Sequence, residues 1–446
     1  MLDIKFIRES PDKIKQGCQK KQVDVDIDHL LDVDKKRREI LQTIENIQAQ
    51  KNKANKEIQK AKNKEEKNKV ILKMQGLDTN CDVLNKEIKK LNQEFNNLML
   101  QIPNLPQDDV PMGKDEKENV VLREMGEKPK FDLLTNRQGF QPKDYMKLAE
   151  NLDLIDIKRA VKVSGSRFGY LKNEAALLEF ALINFVCDFL TNSKELKKII
   201  KEKKLDISDK PFVFVIPPVM ISEKAMAGMG HLFGEGEQET YHFEKDKLYF
   251  VGTSEQSIGP MYMDEILKEQ DLPCRFVGFS TCFRREAGSY GKDTKGILRV
   301  HQFDKLEMFS FCHPEKSKQE HRFILEIEEK LMQALKIPYQ VVQMCAGDLD
   351  APAAAKYDIE AWLPSENCYR ETHSCSNCTD FQARRLNIKY RDKFGKLNFL
   401  HTLNGTAFAI GRILIAIIEN YQQKDGSIKI PKTLQKYIKG KSKIKR

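Results

Sequence analysis

Residues 283–309 read FRREAGSYGKDTKGILRVHQFDKLEMF. Three arginines, a glycine-rich bend with two lysines, and four carboxylates lie between two apolar segments of β type. The stretch predicts two antiparallel strands joined by a long basic loop. On the first strand Arg284 and Glu286 alternate with Phe283 and Arg285, so they are expected to share a face. On the second, His301, Phe303, Lys305 and Glu307 should do the same. A sheet surface carrying both charge signs is costly unless a ligand pairs with both. Phosphates for the arginine, amines for the glutamates and a purine ring for Phe303 would satisfy it, and ATP together with an amino acid offers all three.

Working outward, the chain of 446 residues has room for a large core and an accessory domain. Its hydrophobic content of 40% and charged content of 32% describe a globular protein with a polar surface. The longest apolar stretch, Ala407 to Ile418, is broken by Arg412 and is too short to span a bilayer. The opening MLDIKFIRES lacks a signal-peptide core, and ten cysteines stand at irregular spacing. A cytosolic, reducing compartment is expected. The net charge of +10 suggests a polyanionic partner.

The first hundred residues carry a different pattern. Leu30, Val33, Arg37, Ile40, Ile44, Ile47, Lys51, Ala54, Ile58 and Ala61 follow at spacings of three and four. The pattern resumes at Met74, Leu77, Cys81, Leu84, Ile88, Leu91, Phe95 and Leu98. Two heptad blocks of this kind predict an antiparallel coiled-coil hairpin, an arm of roughly 40–50 Å with its tip at Lys62–Lys69. Between Lys51 and Lys69 stand eight lysines and three glutamates, read either as a solvated tip or as a grip on a phosphate backbone.

Ile102-Pro103-Asn104-Leu105-Pro106 ends the second helix, and 107–130 reads as a polar connector. Beyond it, Ala175–Leu190 reads as a buried helix, and Phe212–Ile216, Leu248–Val251 and Arg275–Phe283 as strands. Ala407–Tyr421 reads as an apolar helix after a turn at Asn404-Gly405-Thr406, and 432–446 as a frayed basic tail. The fold class is α+β: a helical arm followed by a domain built on an antiparallel sheet flanked by helices.

No Walker loop and no GxGxxG after a strand is present, so a nucleotide would have to bind on a sheet face. The 283–309 segment resembles motif 2 of the seryl-tRNA synthetase family, within the class II aminoacyl-tRNA synthetases. Pro217-Pro218 after FVFVI resembles motif 1, and NGTAFAIGR, Asn404 to Arg412, resembles motif 3. RETHSCSNCTDFQARR from Arg370 and the triplet Thr253-Ser254-Glu255 also match, and with the arm the resemblance covers essentially the whole chain. It divides the chain into 1–106, a tRNA-binding domain with the coiled-coil arm, and 107–446, a class II catalytic domain.

The resemblance implies roles position by position. Arg284 and Arg412 would be the catalytic cations, on the α-phosphate with the serine carboxylate and on the distal phosphate. The ATP pocket would comprise Arg284, Arg285, Glu286, Val300, Phe303, Glu371, Thr372, His373, Ser374 and Arg412. Glu286 would take the adenine amine and Phe303 the adenine ring. Serine would be selected by Thr253, Ser254, Glu255, Arg284, Glu307 and Thr406, and Mg²⁺ held by Glu371 and Ser374. Thr372-His373 replaces the family's usual Val-Ser, and Thr406 stands where Ser is frequent. His373 is expected to be partly exposed with a backbone partner, and Cys375 and Cys378 to be structural.

The implied activity is ATP-dependent ligation of L-serine to tRNA(Ser), through seryl-adenylate, by a cytoplasmic homodimer. In the family the arm reaches the long variable arm of the tRNA across the partner subunit. Two rivals stand beside it: a relative that loads an amino acid onto a carrier protein, and an inactive paralogue that binds RNA. The intact arm speaks against the first and the retained site residues against the second.

Overall fold

The computed structural model describes residues 1–60, 64–131, 139–232, 235–287 and 295–446. The chain folds as two compact units, Met1–Pro103 and Asn104–Arg446. No helix among the described residues is long and apolar enough to cross a membrane.

In the first unit, helices Ile4–Glu9 and Pro11–Lys20 precede two long helices, α1 (Ile27–Lys60) and α2 (Lys64–Gln101), of 34 and 38 residues. At ~1.5 Å per residue each is about 50–57 Å long. The two polar interruptions of the seam have partners across it. Arg37 lies 4.2 Å from the ring centre of Phe95, and Lys51 forms an ion pair with Asp78. Such pairs fix the register of an otherwise uniform apolar seam. Asp34, fully buried at the arm's base, accepts from Arg8 Nε at 2.8 Å and Arg38 Nε at 3.1 Å. The expected tip is shorter than the sequence suggests, because α2 already starts at Lys64; residues 61–63 lie outside the described residues.

The second unit is built on eight strands: β1 (Val120–Met125), β2 (Val213–Val215), β3 (Cys274–Phe283), β4 (Gln302–Cys312), β5 (Tyr339–Gln343), β6 (Ala355–Leu363), β7 (Cys368–Asn377) and β8 (His401–Ala409). Their order is β1-β5-β6-β7-β8-β4-β3-β2, antiparallel throughout except for the parallel β2–β3 pair at one edge. Three helices, α3 (Asn173–Leu190), α4 (Ser317–Leu335) and α5 (Ile410–Asn420), contribute with one sheet face to the main apolar core. Leu306, Met308, Ile359, Cys375, Leu403 and Phe408 point into that core. Period-two alternation turns their neighbours Lys305, Glu307, Ser374 and Ser376 to the opposite face, and a register shift that leaves Ala407 as an extra residue brings Thr406, opposite Glu307, to that face as well. The site lies there.

Five sequence expectations are corrected. The strand through Arg275 ends at Phe283, so Arg284 and Glu286 are not strand residues sharing a face; Glu286 has φ of +53°. The connector contains strand β1, which pairs with β5. Asn404-Gly405-Thr406 lies inside β8 rather than in a turn, and the following helix starts only at Ile410. The tail is docked: Lys443–Ile444 pairs with Ile428–Lys429, and Ile444 is buried. Helix α3 is buried on one side only, with Leu177 and Phe180 exposed.

Candidate active site

Strands β3 and β4 pair without a break from Cys274↔Phe311 to Phe283↔Gln302. Of the glycine-rich bend between them, 288–294 lie outside the described residues. Where β3 ends, Arg284 stays tethered. Its N–H donates to His301 O at 3.0 Å, and its Nε donates to Gly252 O at 3.3 Å. Its guanidinium lies 5.4 Å from the centre of the Phe303 ring. Arg285 turns outward and approaches the Tyr241 ring at 5.9 Å. The Glu286 N–H donates to Glu239 Oε2 at 2.7 Å, while its own carboxylate accepts from Arg299 Nη1 at 3.2 Å. Val300 and Phe303 line a cavity of about 300 Å³ together with Phe168, Gly411, Glu179 and Asp304.

Register carries polar residues onto the open face. Glu307 stands opposite Thr406 and Gly278, and Lys305 opposite Ser280. Glu307 is 1% exposed and forms an ion pair with Lys305. Burial raises its carboxyl above the ordinary range, against the pull of Lys305. Beside it, the Thr253-Ser254-Glu255 triplet opens a short helix, Glu255–Ile258. Ser254 Oγ donates to Gly278 O at 3.2 Å, and a side chain at Gly278 would come within 2.8 Å of that oxygen. Gly278 thus lets the triplet seat against β3.

Glu255 accepts from Gln382 Nε2 at 2.9 Å and lies 4.0 Å from His231 Nε2. Gln382 is oriented in turn by Thr402, whose hydroxyl donates to Gln382 Oε1 at 2.6 Å. Burial works to raise the Glu255 carboxyl, but His231 and Gln382 outweigh it and hold it below its ordinary value. Two buried carboxyls with opposite shifts therefore share one corner of the sheet, which suits a ligand that presents both an amine and a hydroxyl.

Across the sheet, β6 and β7 change register at one point. Ile359 pairs with His373 and Glu360 with Glu371, leaving Thr372 as an extra residue. In a regular strand a spacing of three puts side chains on opposite faces. The bulge returns Glu371 to the face of Ser374. Glu371 Oε2 lies 3.0 Å from Arg412 Nη1, which also donates to the Glu371 carbonyl at 3.1 Å. Burial pushes this carboxyl up, yet Arg412, Lys356 and Arg284 together hold it well below the usual carboxylate range.

His373 corrects its expectation. It is 1% exposed, its Nδ1 sits 2.8 Å from Thr372 Oγ1, and its ring lies edge-on to Phe408 at 5.7 Å. The Thr372 hydroxyl also lies 3.1 Å from Ile359 O, so it can donate to the ring or to that carbonyl. Burial lowers the imidazole to about 3, so it is neutral.

Sequence reasoning had the two ends of the site and missed their supports: Lys305 against Glu307, Gln382 and His231 against Glu255, and Arg299 against Glu286. Lys305 was visible in the alternation of β4, and Gln382 lies in the quoted DFQARR, but a charge partner is defined by pairing between distant segments. Among the described residues no three His, Cys, Asp or Glu side chains are arranged to hold a metal. A cation at Glu371 and Ser374 would need further oxygens from a ligand. Both are hard donors on one face, and Glu371 is held ionised, so the pair fits a hard divalent ion.

Comparison with known proteins gives a consistent picture. Residues 1–106 match the seryl-tRNA synthetase N-terminal domain, and residues 240–421 match the tRNA synthetase class II core domain (G, H, P, S and T). A serine--tRNA ligase of Dictyoglomus turgidum is 44% identical over 98% of both chains. One from Nitrosopumilus maritimus is 40% identical over the full length of both. Among solved structures, seryl-tRNA synthetase from Pyrococcus horikoshii complexed with ATP superposes with a TM-score of 0.85 at 39% identity, covering 100% of this chain and 99% of that one. The cytoplasmic serine-tRNA ligase of Naegleria fowleri, in complex with AMP, gives 0.82 at 30% identity over the same shares.

Proposed function

The chain belongs to the seryl-tRNA synthetase family of ATP-dependent class II ligases, and from that premise we propose how its own residues perform the ligation of serine to tRNA. The observation that carries the reading is the sheet face on which buried Glu307 and Thr406 lie with Lys305 beside buried Glu255, while Glu371 and Ser374 share that face and Arg412 reaches Glu371 from α5.

Arg284 binds the α-phosphate and the serine carboxylate through its planar fork of donors. Arg412, in the first turn of α5, binds the distal phosphate. Glu286 accepts from the adenine amine, Phe303 receives the adenine ring, and Arg285, Val300, Thr372 and His373 complete the nucleotide pocket. Thr253 and Glu255 take the serine amine, with Ser254 fastening their loop to β3, while Glu307 and Thr406 take the serine hydroxyl. Glu371 and Ser374 would hold Mg²⁺, which would neutralise charge on the nucleotide phosphates.

The serine carboxylate oxygen attacks the α-phosphorus, a P–O bond forms, and pyrophosphate leaves. The terminal ribose hydroxyl of the tRNA then attacks the activated acyl carbon and AMP departs. No protein nucleophile takes part; the residues align the reactants and stabilise charge. The arm of residues 1–106 binds tRNA(Ser), and residues 107–446 form the catalytic domain. Two copies pair through the exposed apolar side of α3 and edge strand β2, where Leu177, Phe180, Val213 and Ile216 face outward. We place the enzyme in the cytosol, where its ten cysteines, none of them in a disulfide in this fold, remain reduced.

The test is Arg284→Ala in serine-dependent ATP–pyrophosphate exchange. Exchange should fall by three orders of magnitude or more, about 4 kcal/mol of transition-state binding. Near-normal exchange would sink the assignment.

A further inference from the structure

The end of β3 poses a mechanical problem. The ladder stops at Phe283↔Gln302, and three residues on, Glu286 adopts a positive φ. Arg284 therefore leaves the sheet between a regular strand and a strained residue, with no ladder to fix where its side chain goes. His301 supplies the missing constraint. Its carbonyl accepts from the Arg284 N–H at 3.0 Å, and its ring Nδ1 lies 3.0 Å from the Arg284 carbonyl oxygen. A carbonyl only accepts, so Nδ1 carries the proton. Residue 284 is bracketed on both of its peptide groups by one neighbour.

The ring that does this is itself held. Phe168 lies 5.3 Å away at 50°, and Tyr241 stands edge-on at 6.3 Å. The His301 N–H donates to Arg167 O at 3.0 Å. Downstream, Glu239 takes over, accepting the Arg285 N–H on its carbonyl at 2.9 Å and the Glu286 N–H on its carboxylate at 2.7 Å. The path of 284–286 is thus set by hydrogen bonds from outside the strand, and among the described residues it is His301 Nδ1 that holds the Arg284 carbonyl.

We propose that His301 is a positioning residue for the activation step: its Nδ1–H fixes the Arg284 carbonyl and thereby aims both Arg284 and Glu286. This rests on the reading that Arg284 binds the α-phosphate and the serine carboxylate. Losing the bond leaves the backbone contact from His301 O in place, so the defect is one of direction rather than of folding. Misplacement of a reactant-binding group by about 1 Å costs on the order of 100-fold.

The experiment compares His301→Leu, His301→Asn and His301→Gln in serine-dependent pyrophosphate exchange, with Arg284→Ala alongside and the melting temperature of each variant recorded. The Asn amide nitrogen sits near the position of Nδ1, whereas the Gln amide reaches toward that of Nε2. Leu and Gln should lower kcat/KM by about 10- to 100-fold and raise KM for ATP, while Asn recovers to within about threefold of the parent. Leu at the parent rate overturns the proposal. So does equal impairment of Asn and Gln, which would mean that the ring acts by packing alone. If the Leu variant does not fold, the Asn-against-Gln comparison decides. Exchange that survives Arg284→Ala strikes instead at the reading beneath the proposal.

Discussion

A neutral side chain at position 307 keeps the volume of the pocket and removes its charge, so Glu307→Gln separates fit from electrostatics. The carboxyl is buried beside Lys305 and opposite Thr406. In the proposed reading its replacement weakens the grip on the serine hydroxyl and leaves Lys305 unpaired. We predict a loss on the order of 100-fold in kcat/KM for serine, the size of a charged hydrogen bond in a desolvated site, with KM for ATP little changed. Exchange kinetics at varied serine and varied ATP check it. Glu328, in α4, makes a different prediction. It is fully buried on the core face with the Cys375 thiol as its polar neighbour, and a side chain at Gly405 would meet its Oε1 at 2.9 Å. Burial, with repulsion from Glu307 and Asp358, raises its carboxyl well above the ordinary value. A folded-state pKa above the unfolded one means the stability is complete below the ordinary carboxyl range and is lost as pH climbs toward the folded value. Glu328→Gln should therefore raise the melting temperature by a few degrees at pH 8 and leave it nearly unchanged at pH 4, as read by calorimetry.

Among the elements, β7 carries the most consequence per residue. Thr372 is the extra residue that returns Glu371 to the face of Ser374. Inserting one alanine between Glu371 and Thr372 would shift the alternation and turn Glu371 into the core, so exchange should vanish, whereas Thr372→Ser should retain it. If the insertion variant stays folded and active, the facing of Glu371 has no part in the site. The motifs were legible in the sequence because each is a short run of unusual residues in fixed order, and the heptads because their period is local. The bulge was not, since it exists only against β6. Asn404-Gly405 was misread as a turn because Asn-Gly has that chemistry. The glycine is needed for another reason: a side chain there would come within 2.2 Å of Ile324 on α4. The tail was misread from its lysines, while its anchoring depends on Ile438 and Ile444, both buried. Ile444→Ala should lower stability by about 2–3 kcal/mol, a drop of several degrees in the melting temperature.

For the molecule as a whole, the two compact units predict separable activities. Removing Ile44–Glu87 and joining Thr43 to Ile88 through a few glycines keeps Asp34, Arg37 and Phe95 at the arm's base. This variant should form adenylate at the parent rate and acylate tRNA at least 100-fold more slowly, since the shortened arm would lack the phosphate contacts proposed for it. Equal loss of both activities would contradict the division. Placing a charge on the exposed side of α3, as in Phe180→Glu, should shift the proposed dimer toward monomer in sedimentation. The claim on which everything else depends is that this sheet face activates serine, and the most direct measurement is ATP–pyrophosphate exchange by the intact chain with serine, threonine, alanine, glycine and cysteine in turn. The structure predicts exchange with serine at least 100-fold above each of the others; exchange with none of them, or a preference for any other, would contradict it.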